Sequence, residues 1–279
     1  PGEQRMAQSV IQPGTGKAFL IVGGGEEILL NKENSFTLRD SNGLKVKNDS
    51  VTLHYYGDTL KRDEKNDFHV LYTQRGGEYD VVLADGTRVH LNSESRLRYP
   101  LVFNSSERRV FLEGEAYFEV MRDEEHPFIV EMGDFSVDVL GTSFDVSNYQ
   151  DDEENGVVLV EGSVRVNKDG QEYLLKPNEE LVIKENDVCV RKVNARNAIS
   201  WKNDKFYFND ETLDMVMKTL VRWYDVEVVF ANQKVRGYHF SGFVPKYADI
   251  TKAFEILELT CDIKFVLQNR TVIITQRTE

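Results

Sequence analysis

The spacing of apolar residues divides the chain into two parts with different predicted elements. From the start to about residue 195, short alternating runs of apolar and polar residues are separated by turn residues. This pattern is typical of β-strands and hairpins. No stretch of helical length with a period of 3.6 residues occurs there. We therefore predict a mainly β N-terminal domain.

Three segments of this first part share a plan of strand, turn and strand. In residues 77–91 the pair Asp85-Gly86 separates two alternating runs, and an Asp-Gly pair is a strong hairpin signal. Residues 162–175 repeat the plan, and residues 16–31 align with the first segment at a constant offset. The repetition predicts a twisted stack of β-hairpins and leaves a sandwich, a jelly roll and a solenoid-like stack open.

The last 79 residues alternate strand and helix patterns in the order β-α-β-β-α-β-β. Asn209-Asp210 offers an N-cap to the first helix, and Asp249 offers one to the second. Both helices carry an apolar stripe at helical spacing. The stripes are Leu213, Val216, Met217, Leu220 and Val221 in the first helix and Ile250, Ala253, Phe254 and Leu257 in the second. We predict a small α+β domain with two helices on one face of a sheet.

The predicted C-terminal sheet is apolar on both faces. The face away from the helices would ordinarily be polar, but it carries Tyr207, Val229, Val266 and Ile273. Either this face packs against the first domain, or the face or an adjacent sheet edge receives another protein. For the second case we predict four partner-binding anchors, which are Tyr207, Val229, Tyr238 and Phe243.

Charge excludes some partners. The chain has 34 Lys and Arg against 47 Asp and Glu, and its net charge is −13. This balance argues against binding to nucleic acid or to an anionic membrane surface, which both need positive charge. The last 79 residues are neutral overall, so the whole net charge lies in the first 200. This shift in composition predicts a domain boundary near residue 200.

Catalytic candidates are few. Glu115 and Glu119 share a face of one predicted strand, and two carboxylates facing a cleft could hydrolyse a glycoside. The same pattern is typical of a half-buried strand with a solvated face, which we favour. Cys189 and Cys261 cannot form a disulfide framework. We predict no catalytic residue, cofactor or metal site, and keep an envelope carbohydrate- or ligand-binding β module as the alternative function.

Ordered sequence blocks in the first part carry a family resemblance. The blocks are Arg75-Gly76-Gly77-Glu78-Tyr79, Leu83-Ala84-Asp85-Gly86-Thr87, Leu112-Glu113-Gly114-Glu115-Ala116-Tyr117-Phe118-Glu119-Val120, Leu140-Gly141-Thr142-Ser143-Phe144 and Leu159-Val160-Glu161-Gly162. Together they resemble the FecR family of anti-sigma factors from about residue 70 to 195. The segment from Phe206 is similar to the C-terminal domain of these regulators, which resembles the short N-terminal signalling domain of secretins and TonB-dependent receptors.

The resemblance implies a domain organisation and a role. Residues 1–69 would be a β-rich segment packed on a FecR-like β domain at 70–198, and 199–279 would form the signalling-type α+β domain. The chain would be the periplasmic sensor part, anchored in the inner membrane by a segment that it lacks, in keeping with its start at Pro1.

The resemblance also implies the partners. The sensor would bind the signalling domain of an outer-membrane TonB-dependent transporter and relay ligand loading to an extracytoplasmic-function sigma factor. It would reach the sigma factor only through a cytoplasmic segment absent from this chain. The resemblance implies no enzymatic activity, no nucleic-acid partner and no direct small-molecule substrate.

Overall fold

The computed structural model divides into two compact units. The β unit comprises Thr15–Lys202, and the C-terminal unit comprises residues 203–277 together with residues 11–14. The structure describes residues 11–39, 44–56, 68–103, 106–185 and 187–277.

The β unit has eighteen strands among the described residues, followed by a short helix, α1 (Ala195–Ala198), and a 3₁₀ helix at Ile199–Lys202. This confirms the mainly β prediction. The strands are β1 (Thr15–Ile21), β2 (Glu27–Asn31), β3 (Phe36–Arg39), β4 (Lys45–Asn48), β5 (Thr52–Tyr56), β6 (Phe68–Tyr72), β7 (Gly77–Val82), β8 (Arg88–Leu91), β9 (Arg96–Pro100), β10 (Arg108–Glu119), β11 (Phe128–Met132), β12 (Phe135–Val139), β13 (Ser143–Asn148), β14 (Asn155–Glu161), β15 (Val164–Lys168), β16 (Gln171–Leu175), β17 (Glu179–Lys184) and β18 (Asp187–Lys192).

Strand pairing arranges the β unit in two branches. Branch one has the order β2-β1-β6-β9-β10-β11-β12-β15-β16. Branch two has the order β3-β4-β5-β7-β8-β10-β13-β14-β17-β18. The three predicted hairpins are present as the antiparallel pairs β1–β2, β7–β8 and β15–β16.

β10 belongs to both branches because it changes direction at Gly114. Its first half pairs with β9 and β11, and its second half pairs with β8 and β13. Gly114 has φ +87°, and a Cβ atom there would lie 2.4 Å from Ser95 Oγ. The turn between branches therefore needs a residue without a side chain.

Side chains that alternate inward from the two branches form one core. Phe118 from branch two is fully buried and stacks on Phe144 with ring centroids 5.2 Å apart. It also contacts Phe128 of branch one at 6.1 Å. The apolar alternation of the sequence thus follows the burial of the strands, as a two-layer β structure requires.

The C-terminal unit has the predicted order of strands and helices, but its strands form two sheets rather than one. β19 and β21 make a two-stranded ribbon, and β20, β23 and β22 make a three-stranded sheet in that order. The elements are β19 (Lys205–Thr212), α2 (Leu213–Tyr224), β20 (Glu227–Phe230), a 3₁₀ helix (Gln233–Gly237), β21 (His239–Pro245), α3 (Ile250–Thr260), β22 (Ile263–Gln268) and β23 (Thr271–Gln276).

The predicted N-cap of the first long helix is wrong. Thr212 caps α2, and its hydroxyl accepts a hydrogen bond from Met215 N–H at 3.3 Å. Asn209-Asp210 instead forms a bulge in β19, where Asp210 has φ +58°. β19 continues past this bulge to pair with β21, and so delays the helix. Asp249 caps α3 as predicted, with Thr251 N–H 2.9 Å from its carboxylate.

Replacing Thr212 by alanine should weaken the first turn of α2 by about 1 kcal/mol, because one amide loses its acceptor. Hydrogen exchange of the α2 amides in the full chain measures this as faster opening. Asn209→Ala is the matched control, and should change exchange by less than about 0.5 kcal/mol. An equal effect of the two substitutions would contradict the assignment of the cap.

Candidate protein-interaction surface

An apolar row crosses the open face of the three-stranded sheet. Parallel pairing of β20 with β23 sets Val229 beside Ile273, and antiparallel pairing of β22 with β23 sets Val266 on the other side of Ile273. Val229 is 49% exposed and Val266 is 41% exposed, while Ile273 between them is half-buried. Polar residues border the row at the next registers, with Glu227 beside Thr271.

The other face of this sheet is buried under the helices. Ile263, Val272 and Ile274 are fully buried. Phe265 stacks on Phe254 of α3 with ring centroids 4.4 Å apart. The core of the unit is therefore formed on the helix-covered face, and the open face does not contribute to it.

The two-stranded ribbon presents an aromatic pair. Tyr207 and Phe243 are cross-strand neighbours, and their ring centroids are 4.8 Å apart. Lys205 Nζ lies 4.4 Å from the centroid of the Phe243 ring, which is a cation–π distance. Phe243 remains 43% exposed, and Tyr207 is half-buried. An exposed aromatic pair with an adjacent cation is the composition found at binding hot spots.

Tyr238 lies between the 3₁₀ helix and β21. It follows the 3₁₀ helix at Gln233–Gly237, and its N–H donates to Val235 O at 3.1 Å. Its carbonyl accepts Leu213 N–H at 2.6 Å, so its backbone ties this turn to the start of α2. Of the four predicted anchors, the structure brings Tyr207 and Phe243 together, places Val229 on the other sheet and gives the Tyr238 backbone a structural role.

The predicted anchors left out Val266 and Ile273, although alternation predicted them on the same face as Val229, and the strand register sets the three in one row. They also left out Tyr247. Tyr247 is 51% exposed and packs edge-on against Trp223 at 5.7 Å. Tyr247 lies in a loop, where the sequence has no strand or helix periodicity from which its exposure could be predicted.

Buried side-chain donors hold the loop that carries Tyr247 through hydrogen bonds to its carbonyl groups. Trp223 Nε1 donates to Lys246 O at 2.6 Å, and the Tyr224 hydroxyl donates to Ala248 O at 2.9 Å. Burial raises the pKa of Tyr224 above its usual value, with Asp249 adding to the effect. The phenol therefore keeps its proton and remains a donor at physiological pH.

The carboxylates considered for hydrolysis are engaged in the β unit. Glu115 accepts a hydrogen bond from Asn92 Nδ2 at 2.6 Å, and Glu119 lies 3.6 Å from Lys202 Nζ. A cavity of about 200 Å³ borders Glu119 and Lys202 and also touches His90 and Arg88. Its lining combines four charged residues with three valines, two histidines and the ring of Tyr117.

Metal ligands, cysteines and helix length bear on other kinds of site. Among the described residues, no three His, Cys, Asp or Glu side chains are grouped to hold a metal. Cys189 and Cys261 are both unpaired thiols. In the same part of the chain, every helix is too short or too polar to cross a bilayer.

Comparisons with known proteins match both units. A family described as FecR protein matches residues 69–165, and one described as FecR, C-terminal, matches residues 205–274. Two crystal structures of a candidate anti-sigma factor from Parabacteroides distasonis are similar at 30% identity, with TM-scores of 0.71 and 0.72. They cover 75% and 76% of this chain, which spans 99% and 100% of theirs. No curated protein matched.

Proposed function

The chain belongs to the FecR family of anti-sigma factors, and from this premise we propose that it is the periplasmic sensor part of such a regulator. The C-terminal unit binds the signalling domain of an outer-membrane TonB-dependent transporter. This contact reports ligand loading of the transporter to an extracytoplasmic-function sigma factor. The family is regulatory rather than enzymatic, which agrees with a role exerted through contact.

The exposed apolar row of Val229, Ile273 and Val266 carries this proposal. Two of its three side chains are exposed by more than two fifths, and the row has a polar border. Burying such a row against a partner gains about 25 cal/mol per Å² of apolar area, before the costs of association. A dry centre with a polar rim is the usual anatomy of a protein interface.

The sheet edges offer a second element of recognition. β20 and β22 are the outer strands of the three-stranded sheet among the described residues, so a partner strand can pair with either one. Backbone hydrogen bonds then supply affinity, and alternate side chains of the added strand supply selectivity. The aromatic pair Tyr207–Phe243 is the proposed anchor on the ribbon.

The location follows from the same premise. FecR-family proteins are associated with the cell envelope. We place this region in the periplasm, held to the inner membrane by a segment that the chain does not contain. The sigma factor is contacted by the cytoplasmic part of the regulator, also outside this chain.

Binding to purified signalling domains of TonB-dependent transporters encoded beside this protein tests the proposal. Val229→Glu should weaken binding by about 30-fold or more, because it places a charge in a desolvated contact. Isothermal titration calorimetry measures the change, and circular dichroism checks that the variant is folded.

Val190→Glu is the matched control, since Val190 is a valine of similar exposure, 46%, on strand β18 of the β unit. It should bind like the wild type. If the wild-type chain binds none of these domains, the proposed partner is wrong. If it binds and Val229→Glu binds equally well, the partner stands and the surface is wrong.

A further inference from the structure

The last segment of the β unit, residues 194–202, lies over a row of polar side chains. It consists of the N-cap Asn194, helix α1 and the 3₁₀ helix, and the next residue, Asn203, begins the C-terminal unit. We call this segment the latch. Ala195, Ile199 and Trp201 of the latch are buried.

The row under the latch is set by strand register. On branch two, His90 of β8 is the neighbour of Tyr117 of β10, which is the neighbour of Asp145 of β13. Phe144 and Val146, on either side of Asp145, face the core. Asp145 therefore points to the outer face of the branch, and it is buried there because the latch covers it. His90, Tyr117 and Asp145 form the latch seat.

Two latch side chains make the contacts with the seat. Trp201 Nε1 donates to Asp145 Oδ1 at 3.2 Å, and the Trp201 ring lies 5.3 Å from the His90 ring. Lys202 Nζ lies 3.8 Å from the centroid of the Tyr117 ring and 3.6 Å from Glu119 Oε1. These contacts hold the last residues before the C-terminal unit.

The seat buries polar groups at some cost. Asp145 is only 5% exposed, and the hydrogen bond that its carboxyl group accepts from Trp201 comes from a neutral indole. Ser200 Oγ is buried and has no hydrogen-bond partner among the residues that the structure describes. His90 Nε2 is buried at 3.5 Å from Glu78 Oε2, which is long for a hydrogen bond. Opening the latch hydrates these groups, which lowers the free-energy cost of opening.

We propose that the latch is a releasable device, in which Trp201 leaves its seat between His90 and Asp145 and frees the segment that leads into the C-terminal unit. The eight freed residues, from Ala195 to Lys202, can extend to at most about 28 Å, while the passage of the chain after Gly14 still joins the two units. The proposal depends on the geometry of the β unit alone. It does not depend on which partner the C-terminal unit binds.

The protonation state of Asp145 shifts the equilibrium between the closed and the open latch. Burial raises the pKa of Asp145 well above its usual value, the charge of Glu115 raises it further, and Glu180 adds to both. The Trp201 hydrogen bond and Lys202 act in the opposite direction. Below its ordinary pKa, Asp145 is neutral in both states. As pH rises through the raised pKa, the closed latch must bury a charge that the open latch leaves in water.

His90 does not add to this bias. Contacts with Asp80 and Glu78 of β7 outweigh burial and raise its pKa. Opening the latch leaves both carboxylates beside His90 and relieves only burial, which lowers the pKa, so protonated His90 does not favour the closed state. Asp145 therefore carries the pH dependence, with a closed latch in acid and opening toward alkaline pH.

Hydrogen exchange of the full chain, corrected for intrinsic rates, tests the proposal. Between about pH 5 and about pH 8, exchange of the amides of residues 195–202 should accelerate about 10-fold or more relative to the core strands β11 and β12. Asp145→Asn, which cannot ionise, should reduce this acceleration at least about threefold. Trp201→Phe keeps an aromatic side chain and removes the indole donor, so it should raise exchange of the same amides at every pH.

Three results would overturn the proposal. The first is exchange of residues 195–202 that does not depend on pH in the wild type. The second is an acceleration shared equally by β11 and β12, which would mean global unfolding. The third is a pH dependence that Asp145→Asn leaves unchanged. If Asp145→Asn does not fold, unchanged exchange in Trp201→Phe contradicts the latch.

Discussion

Gly114→Ala should destabilise the β unit by about 3 kcal/mol, which combines the strain of a left-handed backbone with overpacking. Gly114 has φ +87°, and an added Cβ would lie 2.4 Å from Ser95 Oγ and 2.8 Å from Glu94 O. The backbone oxygen cannot move away without disturbing the turn before β9. The change would appear in urea denaturation of the full chain, followed by circular dichroism.

Gly133→Ala separates the two causes of this loss. Gly133 also has a positive φ, +61°, but nothing lies within 4 Å of the position of its Cβ. Gly133→Ala should therefore lose only about 1 kcal/mol of folding free energy, from the strain of its left-handed backbone. Equal losses in the two variants would show that the crossing of β10 between the branches does not depend on close packing at Gly114.

Arg108→Met should cost about 3 kcal/mol or more, since it removes the cation from a buried ion pair. Arg108 is 3% exposed, and its Nη1 donates to Asp85 Oδ2 at 2.7 Å and to Met121 O at 2.8 Å. Its Nε donates to His126 O at 2.9 Å. Methionine fills similar space but leaves a buried carboxylate and two carbonyls without these donors. The same urea denaturation measures the loss.

The neighbouring Arg109 provides the control for Arg108. Its side chain is 37% exposed and pairs with Glu107 and Glu131 at the surface. Arg109→Met should change the free energy of unfolding by less than about 1 kcal/mol, because exposed ion pairs contribute little. A larger loss for Arg109→Met than for Arg108→Met would refute the argument from burial.

Local patterns in the sequence predicted the elements of both units well. The Asp85-Gly86 turn sits between β7 and β8, where the hairpin signal placed it. The apolar stripes of α2 and α3 are buried, apart from the half-buried Val221. These features depend on residues within a few positions of one another, so the order of residues is enough to predict them.

Features that depend on pairing between distant strands were not predictable. The division of the C-terminal strands into two sheets follows from which strands pair, and periodicity does not encode that choice. The N-cap at Thr212 depends on β19 pairing with β21 beyond the bulge at Asp210. His90, Asp145 and Trp201 meet only because register and the path of the latch bring them together.

Residues 11–14 belong to the C-terminal unit although they precede the β unit, and Ile11 O accepts Ile250 N–H at 3.4 Å. The main chain consequently passes between the units twice, after Gly14 and after Lys202. Cleavage after Gly14 therefore leaves the β unit covalently joined to residues 203–277. Cleavage after Lys202 leaves the two units linked only through the non-covalent packing of residues 11–14 within the C-terminal unit, so a denaturant separates the two fragments.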